Sequence, residues 1–384
     1  MVASLHTECS RYAACATPSF DRLVEEHIHA TAAAVEAIFR GTRDLRALVL
    51  GGGYGRGEGG VTVRDGRELP FNDYDWFVVV NGMSRRRRAA YSCRLREAGE
   101  RLSARFGVDV DFSFPKTIRE LRRMPFTLMW TELRLGHMVA LGDTDVMSAY
   151  PHSDIGRLPL EEVLRLLTNR GMGLLLARDR LAGSPGAPAD RDFVARNIHK
   201  AALAAGDALL VMHGAYDHSY RRRAEAFSCL GARPDVAAFG MGEVYAEAVR
   251  YKLRPDEPSW RSLGERCDTV VSRYPAILYQ ITERLLRRPV RDYRGYVDAL
   301  RSSVGDGALP RRLALTARDC GVAAVFDAWG RHHPRRRIQM AMPSILFGDT
   351  TVPEAEVAAA LRVARTAPLT AIRMRFDALW QRLN

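Results

Sequence analysis

Two short stretches of this sequence carry residues whose types and spacing suit chemistry on phosphates. Residues 51–60 read GGGYGRGEGG and residues 72–80 read NDYDWFVVV, so a glycine-rich stretch precedes two aspartates one residue apart. Glycines let backbone N–H groups approach an anion closely. Two neighbouring carboxylates repel each other and cost stability unless a cation joins them. The pairing of the two stretches therefore needs a chemical explanation.

The acidic residues recur in a second stretch with the same spacing. Asp73 and Asp75 open an apolar strand, and Asp109 and Asp111 lie in VDVDFSF. Because strand side chains alternate between two faces, the members of each pair share a face. If the two strands are neighbours, three or four carboxylates converge on a patch that suits two Mg²⁺ ions about 3.5–4 Å apart. The sequence thus predicts magnesium-nucleotide chemistry, with Arg56 as a further phosphate contact.

Hydrophobic periodicity predicts the elements that must position these residues. Helices are expected over 19–40 and 84–105, strands over 45–53, 74–80 and 108–114, a strand-like element over 136–147, and two extended pieces around an Asp65-Gly66 turn over 61–71. This order of strands and helices predicts an α/β fold with a mixed sheet and helices packed on it.

From residue 160 onward the pattern becomes mostly helical. The expected helices are 160–182, 190–213, 217–230, 237–252, 258–287 and 290–303, followed by further helices in the final stretch. We therefore predict a core at 1–150 that includes the N-terminal helix, a helical domain at 151–305 that closes on the nucleotide, and a helical extension at 306–384.

The net charge of +12 has two explanations. It suits an anionic partner such as a nucleic acid, but the basic residues are almost all arginine, with lysine only at Lys116, Lys200 and Lys252. An arginine-rich, alanine-rich composition is also what a GC-rich coding sequence gives. No apolar run reaches the ~18 residues of a membrane span, and the N-terminus lacks the pattern of a secretory signal. A cytoplasmic protein without a membrane partner is expected.

The first 150 residues resemble the DNA polymerase β-like nucleotidyltransferase superfamily. The resemblance covers residues 40–145 and rests on the apolar strand, the Gly52-Gly53 pair, the Asp73-Tyr74-Asp75 signature and the later acidic strand. GGYGRGE in particular is similar to the loop of nucleotidyltransferases that modify nitrogen-regulatory proteins. The interval between Gly53 and Asp73 is longer than is usual in that family, through a hairpin at 61–70.

The resemblance implies transfer of a nucleoside monophosphate from an NTP to an acceptor, with release of pyrophosphate. It implies two Mg²⁺ ions, or Mn²⁺, held by Asp73, Asp75 and one of Asp109 and Asp111, whose side chains face the same way. That third acid would also serve as general base. The nucleotide would be held by Gly52, Gly53, Tyr54, Gly55, Arg56 and Gly57.

A second, looser resemblance lies in KAALAAGDALLVMHGAYDHSY, residues 200–220. Poly(A) and terminal uridylyl transferases have a similar arrangement of a lysine followed by Ser-Tyr. The resemblance implies that Lys200 contacts the β- and γ-phosphates, Ser219 a phosphate and Tyr220 the face of the base.

Several functions stay open at this point. The favoured one is transfer of AMP from ATP to a hydroxyl of a small molecule or a protein, because no RNA-binding module is recognisable. The alternatives are a nucleotidyltransferase acting on RNA ends, or a non-catalytic nucleotide- or nucleic-acid-binding module on the same fold.

Overall fold

The computed structural model describes residues 10–14, 16–183, 187–303 and 308–383. The chain divides into two compact units. The first comprises Met1–Pro159, Tyr216–Ala226 and Val249–Asp256, and the second comprises Leu160–Ala215, Phe227–Ala248 and Glu257–Asn384. The three-part division expected from the sequence, with boundaries after residues 150 and 305, stays a prediction.

The first unit is a mixed sheet with helices on both faces. Its strands are β1 (Leu45–Leu50), β2 (Gly60–Arg64), β3 (Arg67–Phe71), β4 (Asp73–Val80), β5 (Asp109–Phe112), β6 (Lys116–Thr117) and β7 (Met138–Gly142). Its helices are α1 (Pro18–Phe39), α2 (Gly52–Gly55), α3 (Arg85–Phe106), α4 (Ile118–Leu121) and α5 (Leu128–Leu135). The predicted strands and helices of this region are confirmed, with ends displaced by a few residues.

Strand β4 lies inside the main sheet and fixes the positions of the acids. The strand order is β5-β4-β1-β7, and the short β6 also pairs with β4. β4 runs antiparallel to β1 and parallel to β5. The sheet is therefore mixed, as expected, and the two acidic strands are neighbours.

Alternation along β4 separates two hydrophobic cores. Tyr74 and Trp76 are almost fully buried in a core that α1 and α3 also line. Val79 is buried on the opposite face, where it packs with Trp130 and Leu133 of α5. Because both faces of the sheet are covered, the register of β4 is strongly specified.

The inserted hairpin is formed by β2 and β3. Its turn residues Asp65 and Gly66 have φ values of +50° and +73°. Positive φ at both central residues is the geometry for which Asp-Gly turns are favoured. The predicted turn at these two residues is therefore confirmed.

The second unit is built of helices. They are α6 (Leu160–Leu181), α7 (Pro188–Met212), α8 (Tyr220–Leu230), α9 (Pro234–Ala237), α10 (Gly242–Leu253), α11 (Trp260–Leu286), α12 (Tyr293–Ser302), α13 (Leu309–Cys320), α14 (Arg335–Phe347), α15 (Glu354–Ala360) and α16 (Leu369–Leu383). The first residues of α8 and the last of α10 belong to the first unit. The predicted helices are confirmed, and none in the described part of the chain has the length and apolar character that a membrane crossing requires.

Candidate functional site

The two acidic strands pair in a register that places the four predicted carboxylates beside one another. Asp73 lies opposite Asp109, and Asp75 lies opposite Asp111, in the parallel pair β4–β5. Tyr74, between the two acids of β4, points into the buried core. By alternation the four aspartates share the other face of the sheet. The structure thus brings together all four acids that the sequence singled out.

The proximity of these carboxylates changes their acidity. Burial, followed by the charge of Asp73, raises the pKa of Asp75 to about 6, while the charge of Lys252 opposes the rise and that of Asp111 adds to it. Burial, then the charges of Asp73 and Asp109, raise the pKa of Asp111 above its ordinary value. A site in which carboxylates raise one another's pKa favours a bound cation.

The glycine-rich stretch forms a helical turn, α2, directly beside Asp75. The predicted strand over 45–53 ends at Leu50, and its expected last residues are wrong because Gly52–Gly55 form one turn of helix. The N–H of Gly51 donates to the carbonyl oxygen of Asp75 over 2.8 Å. Gly52 has a φ of +60°, and a Cβ there would collide with Oδ2 of Asp75. Only glycine therefore allows this close approach of the turn to the acid.

The other glycines of the stretch allow tight backbone packing. A Cβ at Gly53 would lie 2.8 Å from the carbonyl oxygen of Glu58, and a Cβ at Gly55 would collide with that of Leu50. Gly57 has a φ of +77°. These three glycines shape the turn, and their predicted contact with a nucleotide stays a prediction.

Tyr54 lies in the core rather than on the surface of the turn. Its side chain is almost fully buried. Its hydroxyl donates to the carbonyl oxygen of Gly60 over 2.7 Å and accepts from the N–H of Phe71 over 2.8 Å. Burial raises the pKa of Tyr54 well above its ordinary value. Through these hydrogen bonds, Tyr54 connects the glycine turn to the β2–β3 hairpin.

Arg56 belongs to a buried ion cluster. Its side chain is 6% exposed and lies 3.6 Å from the carboxylate of Glu132, and it donates to the carbonyl oxygen of His218 over 2.9 Å. Arg223 lies 3.5 Å from Glu132, and the hydroxyl of Tyr216 donates to Glu132 over 2.5 Å. Burial opposes the ionisation of Glu132, but the charges of Arg56 and Arg223 bring its pKa below the ordinary value. Arg56 is therefore engaged by protein groups in the structure, and its predicted contact with a phosphate stays a prediction.

Glu58, which the sequence did not single out, connects the glycine turn to the predicted Ser219-Tyr220 pair. It is 1% exposed. Its carboxylate accepts from the hydroxyl of Ser219 over 2.6 Å and from the N–H of Tyr220 over 2.7 Å. Both donors lie at the start of α8, where backbone N–H groups lack helical acceptors. Ser219 and Tyr220 are thus held at the glycine turn through an acid that caps the helix.

The lysine that the structure places near the acids is Lys252. Its charge acts on Asp75, and its Nζ lies 5.8 Å from the centre of the Tyr220 ring. The same ring has the guanidinium groups of Arg56 at 5.0 Å and Arg223 at 4.0 Å. Lys200, which the sequence favoured, lies on α7 in the second unit. The contact of Lys200 with the β- and γ-phosphates that the resemblance implies stays a prediction.

The donor set of the acidic patch is of the type that magnesium takes. Mg²⁺ binds one or two carboxylates and completes its shell with substrate phosphates and water. Asp73, Asp75 and Asp111 provide such oxygens on adjacent strands. Among the described residues, no three carboxylate, imidazole or thiol groups lie close enough to enclose a metal ion. The geometry thus offers neighbouring carboxylates and not a finished coordination sphere.

Comparison with known proteins gives no match: no family model, curated protein or solved structure matches the chain. The resemblance to nucleotidyltransferases therefore rests on the motif residues themselves.

Proposed function

We propose that the first unit is the catalytic core of a magnesium-dependent nucleotidyltransferase. It would move a nucleoside monophosphate, with AMP from ATP favoured, to a hydroxyl of a small molecule or a protein. The observation that carries the proposal is the parallel register of Asp73 and Asp75 with Asp109 and Asp111. The position of Gly52 against Asp75 supports it, because the turn adds a backbone surface for phosphate beside the acids.

Asp73, Asp75 and Asp111 are the residues that would hold Mg²⁺ or Mn²⁺. When bound, two such ions would activate the acceptor hydroxyl and balance charge on the phosphates. We favour Asp111 over Asp109 as the third acid because Asp111 lies directly opposite Asp75, and its charge acts on Asp75. The nucleotidyltransferase-type fold is part of this proposal.

The donor would lie along the glycine turn. The N–H groups of Gly52 and Gly53 belong to a first helical turn, whose donors have no intrahelical acceptor. They are therefore suited to phosphate oxygens. Lys252 would neutralise charge on the same triphosphate. Arg56 and Glu58 would act through the turn, since their contacts hold it against α5 and α8.

The reaction would be an in-line displacement at the α-phosphorus. The acceptor oxygen forms a bond to that phosphorus, and the bond to the oxygen bridging the α- and β-phosphates breaks, so that pyrophosphate leaves. The proton of the acceptor hydroxyl would pass to a carboxylate oxygen of Asp111 acting as general base.

The first test is nucleotide binding, because it needs no acceptor. Thermal unfolding is measured with ATP, GTP, CTP and UTP, each with and without Mg²⁺, for the wild type, Asp75→Asn and Asp65→Asn. Asp65 is the matched control, because it lies in the hairpin turn at a φ of +50° that asparagine also adopts.

We expect Mg²⁺ to increase the stabilisation of the wild type by one NTP, by about 2.7 kcal/mol at ~100 times its dissociation constant. Asp75→Asn should lose this magnesium-dependent shift and Asp65→Asn should keep it. A magnesium-dependent shift that survives in Asp75→Asn, or no magnesium-dependent shift with any NTP, contradicts the proposal. Pyrophosphate release with small-molecule, protein and RNA acceptors then separates the catalytic alternatives from a module that only binds.

A further inference from the structure

A cavity of about 910 Å³ lies in the second unit and is lined by none of the residues given a role above. It is bounded by α12, α15 and the segments 327–329 and 362–365. Sites for small molecules span about 300–1,000 Å³, so the volume suits such a ligand. Small side chains of α15, such as Ala355 and Ala359, line part of the wall and leave room beside its charged groups.

The cavity has a surplus of positive charge. Four arginines and two carboxylates line it, which leaves two positive charges unbalanced. One carboxylate, Glu356, already accepts from Arg294 over 2.8 Å and from Arg301 over 2.9 Å. Nε of Arg301 is buried and has no hydrogen-bond acceptor among the residues that the structure describes.

The other carboxylate is also satisfied. The Asp327 carboxylate accepts hydrogen bonds from both Nη atoms of the fully buried Arg337, over 3.0 and 2.7 Å. The guanidinium group of Arg362 lies 3.6 Å from the same carboxylate. Arg365 is exposed, and no ion pair joins it to a carboxylate in the described part of the chain. The surplus charge of the cavity therefore concentrates at Arg362 and Arg365.

Arg362 lies in a backbone conformation that favours glycine. Its φ is +62°, and it follows α15 at a helix end closed by the bond from the N–H of Val363 to the carbonyl oxygen of Ala358. Glycine is the usual residue at such a position. Arg362 therefore carries its charge at the cavity wall from a backbone position where glycine would be less strained.

We propose that this cavity binds a small phosphorylated ligand. A phosphate or diphosphate group balances a surplus of two positive charges, and planar guanidinium groups pair with phosphate oxygens through two parallel hydrogen bonds. Arg365 and Arg362 would be the main donors, and Arg301 would add its buried Nε–H. This site is separate from the proposed catalytic acids and needs no metal ion.

Calorimetric titration tests the proposal with pyrophosphate, with ATP and with a single-stranded RNA, each in a separate titration in EDTA without divalent cations. The proteins are the wild type, Arg365→Ala, Arg362→Gly, Arg287→Gly and Asp75→Asn. Arg287 is a matched control because it ends α11 at a φ of +53°, is exposed and does not line the cavity. Arg362→Gly and Arg287→Gly each remove one positive charge, and each relieves the strain of an arginine at positive φ.

We expect the wild type, Arg287→Gly and Asp75→Asn to bind equally. Arg365→Ala and Arg362→Gly should each bind about tenfold more weakly, as the loss of one charge-assisted contact predicts. Tighter binding of pyrophosphate would identify a free oligophosphate, and tighter binding of ATP a nucleotide.

Any of four results would overturn the proposal. One is no binding of either ligand to the wild type, and another is equal binding by the wild type and both cavity variants. The third is a single-stranded RNA that binds more tightly than pyrophosphate with the same dependence on Arg365. Loss of binding in Asp75→Asn alone would place the ligand at the acidic patch instead.

Discussion

The acidic face of the first unit and the arginine-lined cavity of the second unit differ in how the chain assembles them. Asp73, Asp75, Asp109 and Asp111 come from two neighbouring strands, and register alone aligns them. The cavity collects Arg294 and Arg301 from α12 but Arg362 and Arg365 from a segment after α15. The acidic face can therefore be predicted from short stretches of sequence. The cavity cannot, because it forms only when the helices pack together.

The two regions also have opposite surplus charge, and both expose charged side chains: Asp109 and Asp111 in the first, Arg362 and Arg365 in the second. The cluster of Glu132 with Arg56 and Arg223 is the structural case, because it is buried and its acid is already paired with two arginines. Changes at Glu132 should therefore affect folding first. Changes at the two surplus-charge regions should affect ligands first.

The largest loss of stability is expected for Glu132→Ala. It would leave the guanidinium groups of Arg56 and Arg223 buried without their shared carboxylate, at a cost of about 3–5 kcal/mol. Urea unfolding checks the value against Glu100→Ala, because the Glu100 side chain is 71% exposed and its ion pair with Arg96 is long, at 4.0 Å. The control should change by less than about 0.5 kcal/mol. Equal effects of the two substitutions would refute the structural role of the cluster.

A smaller loss of stability, with a specific loss of binding, is expected for Gly52→Ala. The substitution forces a Cβ against Oδ2 of Asp75 and places alanine at a φ of +60°. Gly66→Ala separates the two effects, because Gly66 has a φ of +73° but nothing within 4 Å of its Cβ position. We expect about 1 kcal/mol from the backbone in both variants, and about 1–3 kcal/mol more from crowding in Gly52→Ala.

Nucleotide binding completes the comparison of the two glycines. The magnesium-dependent NTP shift should disappear in Gly52→Ala and persist in Gly66→Ala. If both variants keep the shift, the glycine turn is not part of the nucleotide site.

Local patterns predicted the acidic face well. Alternation in residues 74–80 and 108–114 was enough to give the strands β4 and β5 and the shared face of the acids. The Asp65-Gly66 turn was predictable because its backbone requirement is local. The sequence did not predict that β4 and β5 pair with each other. Pairing between strands that are distant in sequence is set by the whole sheet, so it could only be assumed.

Local sequence patterns could not predict which residues contact the glycine turn. Glu58 reaches Ser219 and Tyr220, which are distant in sequence, so no spacing revealed the contact. The helical form of Gly52–Gly55 was missed because glycine disfavours helices. Tertiary contacts stabilise this helical turn: the Gly51 N–H donates to the carbonyl oxygen of Asp75, and the Tyr54 ring is buried in the core.

The two faces of β4 give the smallest predicted effect, a pH dependence of opposite sign on each face. On the core face, His27 of α1 lies 3.1 Å from the Tyr74 hydroxyl, and burial, then the charge of Arg105, lowers its pKa to about 4. A histidine whose pKa is lower in the folded protein stabilises it above pH 6.5 and loses that contribution as the pH falls towards 4. Asp75 opposes this trend. Its pKa is raised to about 6 in the folded protein, so the folded state binds a proton more tightly than the unfolded state, and this contribution to stability grows as the pH falls below 6.

Removing Asp75 therefore removes its opposing contribution, and His27 is then tested by its own substitution. In an Asp75→Asn background, the free energy of unfolding should fall by about 1 kcal/mol between pH 7 and pH 5.5 through His27, and His27→Gln in the same background should lose that part of the fall. Urea unfolding at the two pH values measures the difference. The same slope with and without His27 would show that the core face does not sense pH, and the contrast between the faces of β4 would then rest on the acids alone.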